Sequence, residues 1–339
     1  MKVAVQKKKK SVLMGAVATL AIASVVPAIA QEQVSPADAL SATIDMRDVE
    51  RFAKLWKKTG GRPTAAQLDA EYIQGGGPGV KIYTPFRIID GANLAKQVVA
   101  KPELYQQAIG KCLPWVANST ADLRSIYLAM RGLLPEKPLP RIYMVIGGAN
   151  SGGTAGPGAQ VLGLEILCRD APAPDQFRSL MRTFFAHETA HTFQSEVETA
   201  AHVKDPLLTH ILREGGADYV ATLVTGAPPS AAREAYGSAN EAEMWRQFVK
   251  DRATASRNYS TGKGYNPAGN AAFGHWLYNG SKGRLPGWEM DMGYWLGMRI
   301  AKTYVEQATN RHAAIRQVLA LDDPAEILRK SGYGEKFTH

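Results

Sequence analysis

His187-Glu188-Thr189-Ala190-His191 carries the most specific chemistry in the chain. Two residues four apart on a helix share a face and stand about 6 Å apart along its axis, so both imidazoles can bind one metal ion. Glu188 sits beside the first histidine, placed to act on a metal-bound water rather than on the metal. Histidines at this spacing with that glutamate between them suit zinc-assisted hydrolysis, the glutamate acting as general base. The competing reading is a helix whose histidines are ordinary hydrogen-bonded side chains. The preceding segment favours the metal reading: Phe177, Leu180, Met181, Phe184 and Phe185 recur at helical spacing. Pro172 and Pro174 precede that run, Asp175 is its expected N-cap, and the motif is expected to fall mid-helix.

Two histidines leave zinc one protein ligand short, since a catalytic site holds three plus a water. Gly at 194 and His at 197 would extend the motif along the same helix, but the chain has Gln194 and Val197. Glu198 lies too far along the axis and Glu196 faces elsewhere, so the third ligand is sought on another segment. Glu214 is the best candidate, in Leu212-Arg213-Glu214-Gly215-Gly216-Ala217-Asp218-Tyr219-Val220, read as a second helix packed on the first. Asp218, four residues on, faces the same way and is placed to accept a ring N–H from a ligand histidine. Gly215, Gly216 and Ala217 would let this helix approach the histidine helix closely. A solvated Glu214 paired with Arg213 or His210 is the alternative, and His202 and His210 are the fallback ligands.

The N-terminus reads as an export signal. Lys2 and Lys7 to Lys10 precede an apolar stretch from Val12 to Val26, and Ala28-Ile29-Ala30 forms a small-x-small cleavage pattern before Gln31. No Cys stands directly after the cleavage site, which excludes lipid attachment there, and no stable membrane anchor is expected after cleavage. The expected location is periplasmic or secreted. The net charge of +9 includes five signal lysines, leaving about +4 (9 − 5). No basic block with interleaved aromatics survives, so a nucleic-acid partner is not expected. Export permits a disulfide between the two cysteines, Cys112 and Cys168; two separate buried thiols are the other reading.

Three regions are expected after the signal (1–30). Residues 31–140 form a helical region, with an amphipathic helix over 45–58 and a capping box at Thr64 to Gln67. Residues 141–225 hold the core around the motif: strands over 141–146 and 161–167, joined by a Gly-rich loop from Gly147 to Gly158. That loop lacks the Gly-Lys-Ser/Thr ending of a phosphate loop. It reads as a flexible hairpin connection or as the rim of a cleft over the metal. Residues 226–339 form a helical lobe, with helices over 240–254, 287–307, 310–319 and 324–330. Tyr294 and, second, His275 are the candidate donors to a developing oxyanion.

The histidine motif, Glu214 to Tyr219, Gly293-Tyr294-Trp295-Leu296-Gly297 and Asp323-Pro324-Ala325-Glu326-Ile327-Leu328 together resemble a bacterial family of predicted zinc-dependent proteases. The order of strand, Gly-rich loop, strand and motif helix is similar too. That resemblance spans most of residues 45–334 and implies a gluzincin-like metallopeptidase. The expectation is therefore an α+β, mainly helical, zincin-like fold with a small β-sheet next to the motif helix and a helical C-terminal lobe. Its function would be peptide-bond hydrolysis on a peptide or protein substrate. One Zn²⁺ per chain would be held by His187, His191 and Glu214, with Glu188 as base and Asp218 as support. The rivals are a zinc amidase acting on a non-protein amide, and an exported protein that holds metal without turnover.

Overall fold

The computed structural model describes residues 35–195, 199–280 and 283–337. The signal-peptide expectation, and Glu196 and Glu198, lie outside the described residues. A four-stranded sheet runs in the order β1 (Ile44–Asp45), β2 (Arg141–Val145), β4 (Ala159–Gly163), β3 (Gly153–Gly156). β1 and β4 pair parallel to β2, with Met144 opposite Leu162, and β3 pairs antiparallel to β4, with Thr154 opposite Val161. Every residue of β4 is buried, and so are Ile142 to Val145 of β2. Both faces of the central pair are therefore covered, which is why these strands read as continuous apolar runs rather than alternating ones.

Two expectations for this region are corrected. β2 and β4 are parallel and do not form a hairpin; the Gly-rich segment between them carries the edge strand β3. The second strand also stops early. It ends at Gly163, and Leu164–Asp170 turns into a helix. A short apolar run does not distinguish a buried strand from a buried helix. Gly163 marks the change: a Cβ there would lie 2.5 Å from Tyr83 Oη and 2.6 Å from the Ser151 carbonyl oxygen, so only glycine fits.

The described helices that matter for the site are α1 (Arg47–Lys58), α2 (Thr120–Leu133), α3 (Leu164–Asp170), α4 (Pro174–Thr192), α5 (Pro206–Thr225), α6 (Ala231–Arg257), α7 (Pro267–Gly274), α8 (Met292–Gln307), α9 (Arg311–Ala320) and α10 (Pro324–Ser331). α1 buries Val49, Phe52 and Leu55 on one face, as its periodicity requires. The capping box is present, with Thr64 accepting from Gln67 N and the Gln67 side chain accepting from Thr64 N. α6 starts nine residues before the expected 240, and Asn240 (φ −123°) interrupts it as a kink.

α4 carries the motif and is held on two sides. Gln160 of β4 is fully buried and donates through Nε2 to the Phe184 carbonyl at 2.7 Å. Buried Asp122 of α2 accepts from Arg178 Nε at 2.7 Å and Arg182 Nη1 at 2.8 Å. α4 starts with Pro174 at its first turn and Ala173 at the cap, so Asp175 sits inside the helix rather than capping it. Proline tolerates that position because the missing N–H has no helical partner there. The motif occupies the last turns of α4, not its middle.

Candidate metal centre

His187 and His191 point from α4 at Glu214 of α5. Their Nε2 atoms lie 2.9 Å apart. Glu214 Oε2 is 3.4 Å from His187 Nε2 and 3.2 Å from His191 Nε2. One donor atom from each residue falls within 4.8 Å of the others. Tetrahedral zinc with Zn–N near 2.0–2.1 Å needs donors about 3.3–3.4 Å apart. The carboxylate already stands at that spacing, and the two imidazoles need to part by roughly half an ångström. Two nitrogens and one carboxylate oxygen are the donor set of a borderline-soft divalent ion, and the residues fit zinc.

Each histidine has its other nitrogen occupied. His187 Nδ1 is 2.7 Å from Asp218 Oδ1, one helical turn beyond Glu214. His191 Nδ1 is 2.7 Å from Gln194 Oε1, and Gln194 Nε2 donates to the Arg213 carbonyl at 2.7 Å. Acceptors at both Nδ1 positions place the ring protons there and leave both Nε2 lone pairs facing the cluster. Burial by itself would lower the pKa of His187, but its bonds to Asp218 and Glu214 outweigh that and raise it to about 10. Burial likewise opposes the charge on Glu214, yet the neighbouring His191 holds its carboxyl well below the usual range. Protons and a divalent cation compete for the same Nε2 lone pairs, so metal binding at this cluster depends on pH.

Gln194, Arg233 and Tyr278 were not singled out from the sequence. Gln194 follows His191 by three residues, a spacing that signals contact on a helix end. Arg233 of α6 lies over the Tyr294 ring at 4.5 Å and reaches Asp218 Oδ2 at 3.5 Å. Tyr278 donates its hydroxyl to Glu214 Oε1 at 2.5 Å. Neither of the last two has a sequence signal, because both come from segments remote in the chain.

The other candidates fall in different places. Tyr294 stacks on the His187 ring, with centroids 5.9 Å apart. His275 is turned to buried Asp251, its Nδ1 2.9 Å from Oδ2, which also accepts from Trp276 Nε1 and Gln247 Nε2. Glu188 faces the edge strand, with Oε1 3.3 Å from where a Cβ on Gly153 would be. His202 Nε2 meets the Leu321 carbonyl at 2.5 Å, and His210 Nδ1 meets the Pro206 carbonyl at 2.8 Å. Cys112 and Cys168 form a disulfide with Cα atoms 5.8 Å apart. The glycines of α5 also act elsewhere than expected. Gly215 abuts Gly297 and Met298 of α8 rather than the histidine helix, and Gly216 faces Val318 of α9.

A family model described as gliding motility protein GldB matches residues 90–335, a span that includes every residue of the cluster. The chain belongs to the GldB family. No curated protein and no solved structure matches it. GldB membership corrects the resemblance to zinc-dependent proteases, and with it the expected peptide-bond hydrolysis and metallopeptidase class. The physical reason lies in what the motif encodes. Two histidines and a glutamate at these spacings specify a metal-binding geometry. Turnover further requires an open coordination position and a substrate cleft, which the five-residue signature does not encode. Of the fold expectation, the mainly helical α+β architecture with a small mixed sheet stands.

Proposed function

We propose that this GldB-family chain is a metal-holding protein of the cell envelope, the location that the family model's lipoprotein label suggests. His187, His191 and Glu214 bind one zinc ion, and Asp218 and Gln194 orient the two histidines. The observation that carries this reading is the convergence of three buried or half-buried donors from α4 and α5, each ring held at Nδ1 so that Nε2 faces the cluster. When bound, the ion neutralises the Glu214 charge and fastens α4 to α5, so binding and stability are coupled. No helix among the described residues is long and apolar enough to cross a membrane.

Elemental analysis of protein purified without chelators tests the metal. About one zinc per chain is expected in the wild type, with loss of zinc in Glu214→Ala and His187→Ala and a lower melting temperature after chelation. At a free zinc concentration a thousandfold above Kd, the ion adds roughly 4 kcal/mol. A wild type free of transition metal that also fails to take up zinc refutes the proposal, as does a Glu214→Ala variant that keeps its full complement.

A further inference from the structure

Tyr278 approaches the cluster from outside the two helices that supply its ligands. It lies in the connection between α7 and α8, where Leu277 and Asn279 on either side are buried. Tyr278 itself is 61% exposed, yet its hydroxyl reaches Glu214, which is only 5% exposed. Its backbone has φ +53°, a left-handed conformation that costs a non-glycine residue about 1–2 kcal/mol. The flanking segment enforces it. Asn279 N donates to Asp291 Oδ1 at 2.9 Å, Asp291 N donates back to Asn279 Oδ1 at 3.1 Å, and Gly293 N donates to the Trp276 carbonyl at 2.9 Å. A surface residue is thus held in a strained conformation with its phenol aimed inward.

Glu214 divides its two oxygens between two sets of partners. Oε2 faces the histidines, while Oε1 accepts the phenol hydrogen bond. Tyr294 covers the His187 ring, and Arg233 in turn covers Tyr294. Three protein donors leave one position on zinc without a protein ligand, so access to that position depends on the side chains that cover it. From this geometry we infer that Tyr278 is the positioning residue that closes the metal centre. It holds Glu214 as a one-oxygen ligand and shields the ion from external ligands. This rests on the metal-holding reading above.

Cobalt(II) loaded into the full chain reports on both points, because its visible bands follow coordination geometry. Wild type, Tyr278→Phe and Tyr278→Ala are compared by spectrum, by metal affinity against a competing chelator, and by titration with azide. The expected wild-type spectrum does not respond to azide. Tyr278→Phe shifts the bands and weakens metal affinity about tenfold or more, in keeping with loss of an outer hydrogen bond to a ligand. Its metal-free melting temperature stays near that of the wild type. Tyr278→Ala in addition lets azide change the spectrum. The inference fails if wild-type cobalt responds to azide as readily as Tyr278→Ala, or if Tyr278→Phe matches the wild type in both spectrum and affinity. If Tyr278→Ala does not fold, Tyr278→Phe alone decides. A wild type that takes up no cobalt overturns the metal-holding reading itself, whereas normal cobalt uptake with indifferent Tyr278 variants overturns only the closure.

Discussion

Glu165 is the described side chain with the clearest cost to folding. It is fully buried at the start of α3, Oε2 has no hydrogen-bond partner, and Oε1 accepts weakly from Ala149 N at 3.3 Å. Burial drives its pKa up from 4.5 to about 7, more than its backbone hydrogen bonds can offset. The unfolded chain gives up this proton first as pH rises, so the folded state binds more protons between those two values. Stability from this group is therefore greatest below pH 4.5, falls as pH rises to about 7, and is level above that. The whole effect is on the order of 3 kcal/mol. Glu165→Gln removes the titration, so the wild type should lose stability relative to the variant between pH 4.5 and 7.5 in urea unfolding. A difference between the two proteins that does not change with pH contradicts this account. At the same scale, His187 and His191 owe their metal-ready orientation to Asp218 and Gln194. The first of these was legible from helical spacing, the second only once the end of α4 was seen.

Helix-to-helix distance decides where Glu214 stands. α5 and α8 cross at Gly215 and Gly297, with backbones in direct contact: a Cβ on Gly297 would lie 1.7 Å from the Ile211 carbonyl oxygen, and one on Gly215 would lie 2.1 Å from Met298 N. Neither can be relieved by turning a side chain, because the obstacle in each case is main chain. Gly297→Ala must push the helices apart, at a cost of about 3 kcal/mol or more, and it moves the turn that carries Glu214. Both a melting temperature lower by several degrees and weaker zinc binding are expected. Gly132→Ala in α2 is the control, since nothing lies within 4 Å of the added methyl; replacing a helical glycine there should leave stability unchanged or slightly raised. Equal behaviour of the two variants contradicts the close-crossing argument.

At the scale of the molecule, one covalent link ties the N-terminal helical region to the core that carries the candidate metal centre. Cys112–Cys168 closes a loop of 56 residues that contains α2 and all of β2, β3 and β4. Constraining a loop of that length in the unfolded chain stabilises the fold by about 4 kcal/mol on the chain-entropy account. Reduction, or Cys112→Ala with Cys168→Ala, should lower the melting temperature by a comparable amount, and reductant should not lower the double variant further. A wild type whose unfolding is insensitive to reductant, once its thiols are shown to be free, contradicts this role. Three of the four strands lie inside this loop and the histidine helix follows shortly after Cys168, so metal affinity in the double variant also reports how far the core depends on the link.

Local periodicity and spacing were enough to determine that α4 is a helix, that His187 and His191 share its face, and that Glu214 and Asp218 follow on a second helix. Each of these is a relation between residues a few positions apart, which a regular backbone converts directly into geometry. Relations between distant segments were decided only by the tertiary structure. β2 and β4 are parallel because the chain between them forms an edge strand and returns, and the apolar run changes from strand to helix at Gly163, where Tyr83 and Ser151 leave no room for a side chain. His275 joins Asp251 while Tyr278, three residues on, reaches Glu214, a division set by the backbone turn at φ +53°. Two histidines and a glutamate state which metal chemistry is within reach. Whether that centre is open or closed depends on a residue 64 positions beyond Glu214, and only packing brings it there.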